Sequence, residues 1–481
     1  MTVDEPATRG PIGTHLCRFA SRLAARSLPS PGPARAGAFR KLLAVAFCYA
    51  ALPVAHAADL MQIYRAAQEN DPVLASARAN WQATQELLPQ ARANLLPFVS
   101  GVANANRANT YSNLHTDPSV ETHENYPAIN YTISASQPLY RKQNLVALEQ
   151  ARSQVGQADF VLGSTQQDLV IRVAQAYFDV LLARFTIELT VSQKAAVSEQ
   201  LAQAKRNFEV GVATITDTNE AQAKYDQVIA QEIAVRNDYD NKVAALRAII
   251  GRVPDELRGF NRRFTTTTPV PDVLDAWISR AITDNLAVRI AQSNFEIAQL
   301  DVERARAGHY PTLDLVASFG QGYTGATTGS IQTANALSTR SAVIGVQLAV
   351  PLYQGGAVES RVRQAIAVQE RARQDLETNR RNAQLQAQTS FSGVNNGAAQ
   401  VRAFEQAVRS AQVSYESNRL GMEVGVRTNL DVLTTQQLVY QTQHDLAQAY
   451  YSYLLSQLRL KQAVGTLTDA DLEEINRELS G

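Results

Sequence analysis

The sequence predicts an α+β membrane protein with an internal duplication, in which four β-strands form part of a β-barrel and long α-helices continue that barrel as a coiled-coil tube. Three observations lead to this fold class: motifs recur about 214 residues apart, apolar residues recur every seven positions along a very long helix, and short segments alternate apolar with polar residues. Lys+Arg 45 balance Asp+Glu 45 in the 481 residues, and no basic block occurs. The charge pattern therefore argues against a nucleic-acid partner.

Residues 1–57 are expected to be a secretory signal peptide. An apolar run from Leu42 to Val54 follows basic residues and precedes Ala55-His56-Ala57, a small-residue site that predicts cleavage after Ala57. The run is shorter than the roughly 20 residues that a membrane-spanning helix needs. Both cysteines, Cys17 and Cys48, precede the cleavage site, so the mature chain is expected to have none.

The mature part of the chain is predicted to consist of two copies of one unit. Residues 58–265 form the first structural repeat, and residues 266–481 form the second together with a C-terminal segment. The motifs that recur at an offset of 213 or 214 residues are Ala91-Arg92-Ala93 with Ala305-Arg306-Ala307, Pro138-Leu139-Tyr140 with Pro351-Leu352-Tyr353, and Gly211-Val212 with Gly425-Val426.

Each repeat is predicted to contain a helix, two strands, a very long helix, a turn and a returning helix. The strands are expected near 97–138 and 311–350, with exposed polar loops at 107–125 and 321–340. The predicted helices run from Asp59 to Leu96, Gln143 to Val210 and Asp217 to Ile250 in the first repeat, and from Asp272 to Tyr310, Ala357 to Val424 and Asp431 to Val464 in the second.

The strand predictions rest on the alternation of apolar and polar residues. Ile344, Val346 and Leu348, for example, alternate with Gly345 and Gln347. Tyrosines and phenylalanines collect near the strand ends, as in the aromatic girdles of membrane barrels. Tyrosines that flank the turns of a soluble sheet remain an alternative explanation at this point.

The long helices predict the wall of a tube. About 68 helical residues extend about 100 Å, and the two shorter helices of the same repeat, stacked end to end, have about the same length. The seven-residue repeat indicates a supercoiled helix. Its members are Leu148, Val155, Leu162, Leu169, Ala176 and Ala183.

Four strands in one chain are too few to close a membrane barrel, since single-chain barrels begin at eight strands. An open sheet in lipid leaves unpaired backbone groups that each cost several kcal/mol. Copies of the chain are therefore expected to close the sheet together. Two copies give eight strands with a filled interior, whereas three give twelve strands and a lumen.

The chain resembles the TolC family of outer-membrane export ducts from about Ala58 to Leu479. The stretches that carry the resemblance are Ala174-Gln175-Ala176-Tyr177-Phe178-Asp179-Val180-Leu181, His309-Tyr310-Pro311-Thr312-Leu313-Asp314-Leu315, Pro351-Leu352-Tyr353-Gln354-Gly355-Gly356, and the two turns from Val210 to Asp217 and from Val424 to Leu433.

The resemblance implies a homotrimer with a twelve-stranded barrel in outer-membrane lipid and a helical tunnel that crosses the periplasm. It also implies docking to two partners: a periplasmic adaptor (membrane fusion) protein and an inner-membrane transporter of the ABC, RND or MFS class. The expected function is the exit duct of such a tripartite system, for type I protein secretion, multidrug efflux or both.

The two turns between long and returning helices are the predicted tips of the tunnel. Gly211-Val212 and Gly425-Val426 are expected to form tight helix ends, because glycine permits a left-handed backbone. The resemblance adds that these four residues lie where the adaptor docks.

The resemblance also implies a periplasmic entrance gate. Arg427 resembles the arginine that links to a neighbouring protomer's turn, here Thr216 and Asp217, and keeps the entrance closed. Asp431 resembles a member of an acidic ring that favours cations. From the residues alone, Asp217 and Asp431 are equally well explained as carboxylates at helix N-termini.

Two departures from the family pattern affect this gate. Met422 stands where well-known members carry a tyrosine that bonds to the aspartate, so that contact is expected to be lost. Thr434 stands where they carry a second aspartate, so a lower ring charge is expected.

The sequence contains no P-loop, H-E-x-x-H or G-x-S-x-G motif of enzyme chemistry. No catalytic residue, cofactor site or metal site is therefore predicted. The main alternative to a duct is a periplasmic coiled-coil scaffold or interaction protein without a pore, which explains the helices but not the alternating strands.

Overall fold

The computed structural model describes residues 58–113, 121–254, 256–258, 266–326 and 335–480. The predicted signal peptide, parts of both predicted loops and most of the segment that joins the two repeats lie outside the described residues. The helices are α1 (Leu60–Asn70), α2 (Pro72–Gln85), α3 (Leu87–Ala93), α4 (Lys142–Glu209), α5 (Ile215–Ile250), α6 (Leu274–Asp284), α7 (Leu286–Arg306), α8 (Ala357–Glu423), α9 (Asn429–Ala463) and α10 (Asp469–Ser480).

The two long helices and the two returning helices agree with the sequence prediction to within two residues at each end. Helix α4 contains 68 residues, so it extends about 100 Å. Helix α8 contains 67 residues. The returning helices α5 and α9, of 36 and 35 residues, lie antiparallel to them in two helical hairpins.

The first helix of each repeat is broken, and the prediction of one continuous helix is wrong there. Asp71 ends α1 and caps α2, whose first residue is Pro72; proline lacks the N–H that a continuous helix would need. In the second repeat Asn285 separates α6 from α7, and its side-chain oxygen accepts hydrogen bonds from the backbone of Ala287 and Val288. Asp71 and Asn285 are residues that favour helix N-caps, whereas the third break, at Glu86 between α2 and α3, has no side-chain cap.

Four strands form one antiparallel sheet in chain order: β1 (Phe98–Asn113), β2 (Glu121–Tyr140), β3 (Thr312–Thr324) and β4 (Leu337–Ala349). The strands of the first repeat are longer than predicted, because 107–113 and 121–125 continue the ladder where polar loops were expected. Backbone pairing does not depend on side-chain polarity, so a polar segment such as Arg107 to Asn113 gives no alternation signal and still pairs.

The register gives the sheet one apolar and one polar face. Residues directly opposite each other share a face, so each row across the four strands has one character. One row consists of Val99, Ala135, Ala317 and Ile344, and the adjacent row consists of Ser100, Ser134, Ser318 and Val343. The apolar face of β4 is largely exposed within one chain, where Ile344 is 78% exposed.

The main core lies near the middle of the long helices rather than at their ends. It joins α1, α4, α8, α9 and α10, and its largest fully buried side chains include Tyr177, Tyr450 and Tyr453. Phe178 and Tyr451 stack within it with ring centroids 5.5 Å apart. Within the described helices, none has a segment long and apolar enough to cross a membrane.

Helix α10, which the sequence analysis left as an unassigned segment, closes this core beside the first described residues. Leu472 is fully buried, and Asn476 accepts a hydrogen bond from the backbone N–H of Leu60 at 3.1 Å. The Tyr64 hydroxyl donates to Asp469 at 2.7 Å. Ala58 forms a β-bridge with Leu257. Both ends of the described chain are therefore fixed at the same level of the molecule.

Candidate functional site: the hairpin tips

The turn from Val210 to Asp217, the first tip turn, ends α4 with a Schellman motif. Gly211 has φ +74°. Its N–H bonds to the carbonyl of Phe208 at 3.0 Å, and the N–H of Val212 bonds to the carbonyl of Asn207 at 2.9 Å. The predicted left-handed glycine is thus confirmed, and it turns the chain into α5.

The turn from Val424 to Asp431, the second tip turn, repeats this geometry. Gly425 has φ +79°, and the N–H of Val426 bonds to the carbonyl of Gly421 at 2.9 Å. Val212 and Val426 are 75% and 74% exposed. Two exposed valines therefore lie at the far end of helices about 100 Å long, away from the sheet.

Both predicted aspartates complete capping boxes. Asp217 Oδ2 accepts hydrogen bonds from the backbone N–H of Thr214 at 2.9 Å and from its hydroxyl at 2.8 Å, while the Asp217 N–H donates to that hydroxyl oxygen at 3.2 Å. Asp431 and Thr428 make the same contacts at 3.0, 2.9 and 3.2 Å. The capping role expected for the two carboxylates is therefore present in the geometry.

Asp431 is held in its charged form by these contacts. The backbone N–H of Thr428 and then its hydroxyl lower the pKa of Asp431, and the positive charge of Arg427 adds to the effect. The carboxylate therefore stays ionised at neutral pH beside an arginine.

Arg427 distinguishes the second tip turn from the first, because Ala213 holds the equivalent position. Its side chain lies over the last turn of α8: a Cβ added to Gly421 would come within 2.7 Å of Arg427 Cγ. Gly421 thus provides the space that the arginine occupies. Among the described residues of one chain, Arg427 forms no ion pair with Asp217 or with any other carboxylate.

The two hairpins pack against each other just above the tips. Val197, Val228 and Leu433 form a small buried cluster that joins α4, α5 and α9. Beside it, the ammonium group of Lys224 donates to Gln437 across the two returning helices, and burial lowers the pKa of Lys224. The sequence analysis missed Lys224, since a single lysine on a helix carries no local signal of a partner 213 residues away.

Of the two positions at which this chain departs from the pattern of the family it resembles, Thr434 lies beside this contact. Thr434 is exposed, donates to the carbonyl of Leu430 at 2.8 Å, and lines the same groove as Lys224. Met422 is half-buried in the last turn of α8. Neither side chain contributes a charge to the tip.

The other end of the long helices is joined to the sheet by an ion pair. Arg141, between β2 and α4, donates to both carboxylate oxygens of Asp314 on β3, at 2.8 and 2.7 Å. Asp314 is buried and lies on the polar face of the sheet. Its position in the motif His309 to Leu315 was noted from the sequence, but its partner was not. Among the described residues, no group of three or more His, Cys, Asp or Glu side chains is placed to hold a metal ion.

A family model described as "Outer membrane efflux protein" matches residues 63–252 and again residues 277–466. The chain belongs to the outer membrane efflux protein family. The two matches begin 214 residues apart, which confirms the internal duplication of this family member. The exact repeat boundaries at 265 and 266 stay predictions.

Two relatives and one solved structure are similar to this family member over most of its length. The chain is 34% identical over 425 residues to the outer membrane protein TolC of Vibrio cholerae, covering 88% of this chain and 94% of the relative. It is 32% identical over 424 residues to the alkaline protease secretion protein AprF of Pseudomonas aeruginosa, covering 87% of each chain. The Campylobacter jejuni CmeC outer membrane channel superposes with a TM-score of 0.72 at 16% identity, covering 87% of this chain and 89% of that chain.

Family membership and the structure confirm the main sequence predictions. The protein is a TolC-like α+β outer-membrane protein whose helical tunnel extends into the periplasm. Its class provides the exit duct for secretion and efflux, and it is a class of transport channels rather than of enzymes. A periplasmic coiled-coil scaffold without a pore does not account for this membership.

Proposed function

We propose that three copies of the chain close a twelve-stranded barrel in the outer membrane and form one continuous duct. The duct receives substrates from an inner-membrane transporter of the ABC, RND or MFS class through a periplasmic adaptor protein. It carries secreted proteins, small molecules or both to the exterior, and has no catalytic activity of its own. The relatives named for outer-membrane function and for protease secretion support this assignment.

The observation that carries the proposal is the sheet. In the described residues β1 and β4 each have a strand partner on one side only. One face is apolar and the other is rich in serine, and a single chain leaves the apolar face exposed. Lipid covers the apolar face only if no edge remains unpaired, so β4 of one copy must pair with β1 of the next.

The entrance gate lies at the hairpin tips of this assembly. Arg427 reaches Thr216 and Asp217 of the neighbouring copy and holds the tips together, while three copies of Asp431 form an acidic ring. Because Thr434 adds no second carboxylate, the ring carries a smaller negative charge than a double ring. The four residues Gly211, Val212, Gly425 and Val426 form the exposed surface on which the adaptor docks and draws the tips apart.

Conductance in planar bilayers tests the gate. Arg427→Ala should raise the single-channel conductance, because it removes the only cation of the second tip turn from the closed entrance. Arg419→Ala is the matched control: this arginine is exposed on α8 and lies 4.0 Å from Glu423, two turns before Arg427. An unchanged conductance for Arg427→Ala, or an equal rise for both variants, would contradict the arginine latch.

A cysteine placed at Asn219, just after the first tip turn, tests the partners. Both natural cysteines precede Ala58, so a bifunctional crosslinker would react at one engineered site in the mature chain. Capture of a periplasmic adaptor in living cells supports the tripartite duct. Thr378→Cys is the control. Thr378 is exposed and lies on α8 far from the tip turns, so a cysteine there should capture no adaptor. Capture of this protein's own copies alone at Asn219 would contradict adaptor docking at the tips.

A further inference from the structure

We propose that Arg107 of one copy and Arg340 of its neighbour form a binding site for a lipid phosphate at each seam of the barrel. The inference rests on the proposed trimer, because the two residues lie on opposite edge strands of one chain. They are called the seam arginines below. The occupant is a phosphorylated glycolipid of the outer leaflet, the membrane layer that surrounds this end of the sheet.

The register places both seam arginines on the apolar face. Arg340 lies opposite Gln321, which lies opposite Tyr131, a row that continues the alternation of Ile344 and its partners. Arg107 lies opposite Pro127 and, like Val99, has an odd number on β1, so it shares that face. Both arginines are exposed. Two cations thus occur on the face of the sheet that lipid must cover.

In the assembled barrel the two seam arginines lie at the height of the outer edge of the membrane's hydrocarbon layer. Ten residues separate Arg340 from Val350, where β4 meets the helical body, and this distance is about 33 Å along the strand. At a strand tilt of about 40° the rise is about 25 Å, which is the height of the apolar band of outer-membrane barrels. Arg107 lies the same ten residues above Pro97 on β1. Both guanidinium groups therefore reach the lipid headgroups rather than the acyl chains.

Closure of the barrel brings the two arginines together. If β1 of one copy pairs with β4 of its neighbour so that Phe98 lies opposite Ala349, at the end of the sheet nearest the helices, Arg107 lies directly opposite Arg340. A shift of two residues leaves them diagonal neighbours on the same face, and a shift of one is excluded because it would turn every apolar side chain inward. Like charges directly opposite each other destabilise a sheet unless an anion lies between them. A phosphate fits, since guanidinium groups bind it in a bidentate manner.

The surroundings favour an anion over an ion pair within the protein. Arg107 Nε donates to Asn125 Oδ1 at 2.8 Å, which holds the guanidinium against β2. Glu124, the neighbouring carboxylate in the described part of β2, has an even number and lies on the polar face. Arg340 makes no salt bridge with any described carboxylate. Tyr131 donates to Gln321 beside it and adds polar groups at the same level.

A disulfide tests the geometry first. Arg107→Cys combined with Arg340→Cys should crosslink copies into a covalent trimer, whereas either single variant should not. A trimer by native mass that forms neither this disulfide nor a crosslink with a short bismaleimide, which also reaches diagonal neighbours, would overturn the seam pairing and leave the proposed duct intact. Absence of any trimer would instead contradict the proposed function.

Lipid binding by the purified trimer tests the ligand. Bis-phosphorylated lipid A should be retained at up to three molecules per trimer, and Arg107→Gln with Arg340→Gln should weaken its binding at least about tenfold. Arg409→Gln with Arg419→Gln, in the periplasmic helix α8, should leave it unchanged. Equal binding of dephosphorylated lipid A, or unchanged binding to the glutamine variant, would overturn the site. Displacement by millimolar inorganic phosphate would assign it to free phosphate rather than to lipid.

Discussion

Replacement of Ile344 by arginine should strongly weaken insertion of the sheet into lipid, whereas the same replacement at Val343 should not. The two residues are neighbours on β4, and both are exposed in one chain, at 78% and 58%. Ile344 belongs to the apolar row with Ala317, and Val343 belongs to the row with Ser318. Only the face differs between these variants.

The size of the effect of Ile344→Arg follows from the depth of this residue in the membrane. Six residues separate Ile344 from Val350, or about 20 Å along the strand and about 15 Å of height at a tilt of about 40°. This is close to the middle of an apolar band about 25 Å tall, where a lipid-facing arginine costs about 2–4 kcal/mol. Ile344→Arg should therefore lower the equilibrium between inserted and unfolded chains about 30-fold to several hundred-fold.

Refolding from urea into lipid vesicles measures this equilibrium through the fraction of heat-modifiable protein. Val343→Arg should insert nearly as well as the unaltered chain, and it should shift ion selectivity toward anions because its charge lies in the lumen. Equal losses for the two variants, or a larger loss for Val343→Arg, would refute the assignment of the two faces.

Three further predictions concern the helices. Gly425→Ala should destabilise the second tip turn by about 1–2 kcal/mol, because alanine is strained at φ +79°, and Gly425→Asn should restore part of that loss; hydrogen exchange of the turn measures both. The pKa of Asp431 in the folded chain lies below its ordinary value of 3.8, so its cap stabilises the turn above pH 3.8 and is lost as the pH falls through the lower folded-state pKa. The hydrogen-exchange rate of the turn, corrected for the intrinsic rate, should rise in that low-pH range. Thr428→Val removes the capping hydroxyl and should raise the same exchange rate already at neutral pH. Leu472→Ala should cost about 2–5 kcal/mol and lower the melting temperature, because Leu472 is fully buried, whereas the exposed neighbour Glu473 should tolerate alanine; similar melting temperatures would contradict the role of α10 in the core.

The sequence predicted the long helices almost to the residue because regular periodicity persists over many turns there. The tip turns were equally accessible, since Gly211 and Gly425 recur at one spacing and have one conformational use. The breaks at Asp71 and Asn285 were missed, although both residues favour N-caps. A cap signal inside an apolar pattern competes with the periodicity, and tertiary contacts decide between them.

Contacts between distant residues were beyond the sequence analysis. The ion pair of Arg141 with Asp314 joins residues 173 positions apart, and Lys224 meets Gln437 only because the two hairpins pack together. The polar ends of β1 and β2 were assigned to loops, since alternation detects a half-buried face and not a ladder of backbone bonds. The gate pairing of Arg427 with Asp217 stays a prediction, because it joins different copies.

The junction of α1 with α10 has a consequence for how the protein matures. Leu60 and Asn476 are 416 positions apart, so their contact is among the last that an exported chain is able to make. A chain that stops short of α10 leaves the apolar side of α1 uncovered in the periplasm. Final packing of α1, the first described helix, therefore depends on α10, the last one.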